Sequence, residues 1–181
     1  MGKLKKIKLK LNLIFLKIMY RVKYSYYLKH FPRYLKKLGV NFSGDIQKTG
    51  FISTSVKFDS VNYAKYITIG ERTIMSSNVL LLVHDYTIGL AMQGMKIEGV
   101  KQRNLPHFLK EIKIGNYCFI GARSIILPGT TIGDNVIVGA GAVVKGNIPD
   151  GVVIAGNPAR VVMTTADFVK RHMEKNDFIV K

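Results

Sequence analysis

A single cysteine, Cys118, leaves this 181-residue sequence without an internal disulfide, so its core has to be held by packing alone. A lone thiol also agrees with a reducing, cytoplasmic setting. No run is long and apolar enough to span a membrane. The best, LNLIFLKIMY, is broken by Lys17 and falls short of the roughly 20 residues required. Its charged start resembles a signal peptide, yet no small-residue cleavage site follows, and Lys6 stands where a myristoylation signal needs Ser or Thr. No nucleotide-binding glycine loop appears.

Acidic residues are scarce and unevenly placed. Eleven of them face 28 basic residues, for a net charge of +17, and none precedes Asp45. Twelve Lys and Arg, from Lys3 to Lys37, lie ahead of it. Along this arm Leu4, Ile7, Leu11, Ile14, Ile18 and Val22 recur at three- and four-residue intervals, which predicts one apolar face on a basic helix. Two readings of residues 1–37 stay open: a helix lying on an anionic membrane surface, or a cap on the open end of the fold. Nucleic acid is not expected as a partner, because no recognition module accompanies the charge.

What the sequence has in abundance is a six-residue beat. Aliphatic residues open each hexad at Ile114, Ile120, Ile126, Ile132, Val138 and Val144. Cys118, Ser124, Thr130, Val136, Ala142 and Ile148 fall four positions later, and Gly115, Gly121, Gly133 and Gly139 follow openers directly. Six fits neither the 3.6 of a helix nor the 2 of a strand, but suits short strands turning around a triangular coil of about 18 residues. Openers then point inward and stack, while glycine serves where the backbone turns without steric room.

Around this beat, residues 1–44 read as one or two helices broken near Phe31 and Pro32, with Gly39 and Gly44 at the exit. Residues 45–163 read as the coil domain. Its hexads begin poorly from Phe51, with Lys57 in an opener position, and become regular at Ile69, Met75 and Leu81. Leu81 and Ile114 are 33 positions apart, no multiple of six, so the segment from about 85 to 110 is expected to be an aperiodic excursion. After Pro149 the beat shifts by four, with Ile154, Ala155 and Pro158 in a last partial turn. Residues 164–181 read as a terminal helix and tail, capped by Thr164 or Thr165 and packed through Phe168, Val169 and Met173.

The stretches IGNYCFIGARSIILPGTTIGDNVIVGAGAVVKGNIPDGVVIAGNPARVV and ITIGERTIMSSNVLLLVHDYT resemble the hexapeptide-repeat acyltransferases, in particular the branch that O-acetylates sugars. The resemblance covers about two-thirds of the chain, from roughly Phe51 to Val162. It implies an all-β fold, a left-handed parallel β-helix with an N-terminal basic helical arm and a short C-terminal helix. It further implies acetyl-CoA as donor, no metal, direct transfer without an acyl-enzyme, and a homotrimer with active sites between subunits.

Acetyl transfer to a sugar hydroxyl needs a base, because the hydroxyl is a poor nucleophile at neutral pH. Histidine, with an ordinary pKa near 6.5, suits the task, and such bases commonly contribute about 10² to 10⁴ in rate. By resemblance the base is His84, with Asp85 offered as its orienting partner. His107, also in the excursion, is the rival base, whereas His30 and His172 lie in terminal segments. The same resemblance assigns acetyl-CoA contacts to Phe119, Gly121, Ala122, Gly139, Ala140, Lys145 and Arg160. Phe119 stands where the family often has Trp, and Lys145 is displaced by one position, with Gly146 in its usual place. The expected function is O-acetylation of a bacterial surface glycan, such as a capsule, an O-antigen or a lipid-linked precursor, in the cytoplasm or at the inner face of the membrane. N-acetylation of a nucleotide-linked amino sugar and a non-catalytic scaffold are the alternatives. A three-histidine zinc centre is excluded, since only His84 lies on a coil edge.

Overall fold

A computed structural model describes residues 3–59 and 62–180, so Met1, Gly2 and Lys181, the extreme ends of the expected arm and tail, lie outside the described residues. Helix α1 (Lys3–Val22) and helix α2 (Tyr24–Leu38) lead into a triangular prism of short parallel strands, a left-handed parallel β-helix. The first coil is built from β1 (Asn41–Phe42), Ile52 and β2 (Lys57–Phe58), and the second from β3 (Ile67–Ile69), β4 (Ile74–Met75) and β5 (Leu80–Leu81). The chain then leaves the prism through β6 (His84–Asp85), helix α3 (Thr87–Gly94) and β7 (Phe108–Leu109). It resumes with β8 (Ile112–Ile114), β9 (Phe119–Ile120) and β10 (Ile125–Ile126), then β11 (Thr131–Ile132), β12 (Ile137–Val138) and β13 (Val143–Val144). It closes with β14 (Asn147–Ile148), β15 (Val152–Gly156), the antiparallel β16 (Ala159–Thr164) and helix α4 (Thr165–Lys175).

Stacking these coils gives three sheets: β1-β3-β8-β11-β14, then β4-β9-β12-β15-β16, then β2-β5-β10-β13. Openers stack on openers, as Ile114 on Ile132, Ile120 on Val138 and Ile126 on Val144, each pair 18 residues apart and each side chain at most 2% exposed. Apolar burial of this kind is worth about 25 cal/mol per Å², so the stacked interior is the main source of stability. Leu81 pairs with Ile126, 45 positions on, so the excursion inserts 27 residues beyond the 18 of a coil.

The corner between the first and second sheets carries a ladder of side chains that satisfies backbone donors of the neighbouring coil. Asp150 accepts from the Asp134 N–H (2.8 Å), Asp134 from Asn116 (2.7 Å), Asn116 from Glu71 (2.8 Å) and Glu71 from Asp45 (2.7 Å). At the other two corners such inter-coil bonds occur singly among the described residues: Ser55 accepts the Asn78 N–H (2.9 Å), and Asp59 accepts the Val83 N–H (2.9 Å).

Several expectations are corrected. The arm breaks at Lys23, and Pro32 lies inside α2. An internal proline costs about 3 kcal/mol, but the neighbouring Tyr27, Phe31, Tyr34 and Leu35 are buried in the core and hold the helix together. The buried side of α1 is Leu9 and Leu16, not the predicted stripe, which is exposed. Phe58, not Lys57, fills the opener position, because the beat slips by one residue between Phe58 and Ile69. The later shift falls earlier than expected, between Val144 and Ile148: Ile148 pairs with Ile132 and is an opener itself. Ile154 and Ala155 form a strand in a hairpin with β16 in place of a partial turn. Thr164 is the α4 cap, accepting from the Asp167 N–H, yet Val169 and Met173 are exposed, since only Thr165 of this helix is buried. Finally, the excursion is ordered, with β6 and β7 paired at its base and α3 between them. Gly89 permits this packing, as a Cβ there would meet the Pro106 carbonyl.

Candidate active site

β5 delivers the chain to the corner between the third and first sheets, where Val83 is buried and His84 is held half-open, its side chain 23% exposed. Asp59, at the same level of the preceding coil, is 4% exposed and places Oδ2 2.5 Å from His84 Nδ1. That oxygen also accepts the backbone N–H groups of Val83 (2.9 Å) and His84 (3.2 Å). A carboxylate only accepts, so Nδ1 carries a proton toward Asp59, while Nε2 makes no hydrogen bond among the described residues. Asp59 sits at φ +39°, a conformation that Asp tolerates better than most residues, and it is held there by these bonds.

Aromatic rings wall the imidazole. Tyr63 lies 4.8 Å from it between centroids and Tyr86 5.4 Å, edge-on, with His107 tilted against Tyr86 at 4.7 Å. Burial, together with the neighbouring Tyr86, pushes the Tyr63 phenol up. His107, the rival base, makes a 3.5 Å contact from Nδ1 to the Leu105 carbonyl and has no carboxylate partner among the described residues. Asp85, expected to orient His84, instead turns to α3, accepting the Thr87 N–H at 2.8 Å. Those Thr87 bonds, with smaller help from Lys145 and His84, hold its carboxyl below the usual range.

Directly beyond Asp85 is a cleft of about 170 Å³, lined by Asp85, Thr87, Phe108, Lys110, Pro128 and Lys145 among others. The excursion thus forms one wall, and the corner of the following coils forms the other.

The chain matches the bacterial transferase hexapeptide model (six repeats) over residues 111–146. It is 36% identical over 148 residues to Protein CapG of Staphylococcus aureus, covering 81% of this chain and 78% of that protein. The chain belongs to the hexapeptide-repeat transferase family. With the galactoside O-acetyltransferase of Escherichia coli (strain K12), the identity is 36% over 110 residues, 61% of this chain and 50% of that protein. The chain spans about half the length of several such curated relatives. A solved galactoside acetyltransferase in complex with coenzyme A shares the fold, with a TM-score of 0.56 at 23% identity over 94% of this chain and 86% of that one.

In this hexapeptide-repeat transferase the residues expected to contact acetyl-CoA fall into two groups. Lys145 shares the His84 corner. Phe119, 43% exposed on β9, and Arg160 on β16 lie in the second sheet, and Gly121, Ala122, Gly139 and Ala140 form its far corner with the third. The third sheet separates the two groups within one prism. Gly121 is explained by packing: a Cβ there would stand 2.5 Å from the Ala140 nitrogen. Arg160 is exposed, its guanidinium donating to the Ala159 carbonyl at 2.9 Å.

Sequence reasoning missed Asp59, Tyr63 and Lys110. Asp59 carries no motif of its own, and the one-residue slip before Ile69 hid that it lies beside His84. Lys110 could have been found, since it closes the excursion opposite the residue that opens it: its N–H donates to the Val83 carbonyl (2.8 Å).

Proposed function

We propose that this transferase moves an acetyl group from acetyl-CoA to a hydroxyl of a bacterial surface glycan or its lipid-linked precursor, with His84 as general base. The observation that carries the reading is the Asp59–His84 pair beside the cleft, which leaves Nε2 as the acceptor. The acceptor oxygen would attack the thioester carbonyl carbon as Nε2 takes its proton. The C–O bond forms, the C–S bond breaks, and the imidazolium returns the proton to the departing CoA thiolate. Asp59 stabilises the imidazolium and fixes the ring, a positioning role. The named acetyl acceptor of one relative, a galactoside, supports a sugar hydroxyl as substrate.

The separation of the two residue groups supports a homotrimer. The His84 corner of one subunit would face the second sheet of the next, so that Phe119, Gly121, Ala122, Gly139, Ala140 and Arg160 meet acetyl-CoA from across the interface. Lys110 and Lys145 supply positive charge to the cleft for a negatively charged donor or acceptor.

The test is CoA release from acetyl-CoA with a panel of simple sugars, amino sugars and lipid-linked glycans, followed by mass analysis of the product. Acceptor-dependent release with an ester product is expected. An amide product, or binding without turnover for every acceptor, would overturn the reading.

A further inference from the structure

α1 is apolar on two opposite sides, and the fold uses only one. At roughly 100° per residue, Leu9, Leu13 and Leu16 fall together on the side packed into the core. Leu4, Ile7, Leu11, Ile14, Ile18 and Val22 fall on the opposite side, each between 47% and 76% exposed. Exposed Lys10, Lys17 and Arg21 run along one border of this outer stripe, and Lys8 stands on the other. Toward the end of the helix the stripe borders a groove of about 560 Å³, lined by Ile14, Ile18, Val22, Lys17 and Arg21 and closed by Tyr20 and by Thr54 of the first coil.

We propose that this outer face docks on an anionic phospholipid surface, with α1 lying flat in the headgroup region. Apolar side chains flanked by a row of cations on one border and Lys8 on the other match the layering of an anionic bilayer, acyl chains within and phosphates at the border. Charge favours that occupant over a second copy of the chain. A copy would set the same basic borders against each other, and no acidic residue occurs before Asp45 to offset them. Lying flat is the geometry available, because among the described residues no helix is long and apolar enough to cross a membrane. The inner face of α1 and α2 reaches the catalytic side of the prism, since Leu13, Tyr34, Leu35 and Phe58 share a cavity with Asp59. Docking would therefore leave α1 between the lipid surface and the His84 corner. The lipid contact itself does not rest on the acyl-transfer reading.

Co-sedimentation of the full chain with vesicles tests it, using phosphatidylcholine alone and phosphatidylcholine mixed with phosphatidylglycerol. Two variants accompany the wild type: Ile14→Glu/Ile18→Glu and Lys10→Gln/Lys17→Gln/Arg21→Gln. All five positions are exposed, so melting temperature and CoA release with a soluble acceptor should be unchanged. The wild type should bind the anionic vesicles at least about tenfold more tightly than the neutral ones, and each variant should lose about tenfold or more. Wild-type binding indifferent to phosphatidylglycerol, or variants that bind like wild type, would overturn the proposal. So would loss of an oligomer in Ile14→Glu/Ile18→Glu without vesicle binding by the wild type, which would make the face an interface between copies.

Discussion

His84 Nδ1 and Asp59 Oδ2 lie 2.5 Å apart, although 25 positions separate the two residues and they sit on successive coils of the prism. The only other histidine–carboxylate pair among the described residues, His172 with Asp177 at 2.7 Å, is on the exposed C-terminal segment. What distinguishes His84 is therefore its nearly buried partner: Asp59 is 4% exposed and Asp177 42%.

Replacing Asp59 by Asn should lower kcat by about 10- to 100-fold with a smaller change in KM, because ring orientation is lost while the site keeps its shape. Asp59→Ala should also lower the melting temperature, as the Val83 and His84 N–H groups lose their acceptor. Steady-state kinetics and thermal melts on both variants separate the two effects. Wild-type kcat in Asp59→Asn would remove Asp59 from the mechanism.

Gly121→Ala should cost about 1–3 kcal/mol, because the added Cβ meets backbone of the next coil: the Ala140 nitrogen at 2.5 Å and the Val138 carbonyl at 2.6 Å. In a chain of this size that is a fall of several degrees in melting temperature. Gly94→Ala is the control, since nothing lies within 4 Å of its Cβ position.

Tyr27 is 1% exposed and its hydroxyl donates to the Ile52 carbonyl, which ties α2 to the first coil. Tyr27→Phe should destabilise the chain by about 1–3 kcal/mol by leaving that carbonyl unpaired. Denaturant unfolding measures the cost. An unchanged midpoint would mean that the arm caps the prism through apolar contacts alone.

Cys118 is 2% exposed, with Sγ 3.0 Å from the Gly133 carbonyl, and burial pushes its thiol up. The folded protein should therefore resist alkylation, and the rate should rise steeply with denaturant as unfolding exposes the thiolate. Rapid modification without denaturant would contradict the buried placement.

Most of the prism was legible because the beat from Ile114 to Val144 repeats one physical requirement, an aliphatic side chain pointing inward every sixth residue. The position of His84 at the mouth of the excursion was legible, because Leu81 closes a regular coil just before it. Asp59 was not, because the contact runs between coils and the slip at Phe58 destroys the register that would have aligned it. The arm misled for a different reason. Leu4 to Val22 form a genuine helical stripe, but Leu9, Leu13 and Leu16 make a second on the opposite side, and periodicity alone does not say which one meets the core. In the excursion, α3 is short and held by Gly89 against Pro106, a tertiary contact that leaves no repeat in the sequence.

The most direct measurement is CoA release in the presence of a productive acceptor, comparing wild type with His84→Ala at equal folded concentration. General-base catalysis by His84 predicts a loss of about 10² to 10⁴ in kcat with acetyl-CoA binding retained. Turnover undiminished in His84→Ala would contradict it and shift attention to His107.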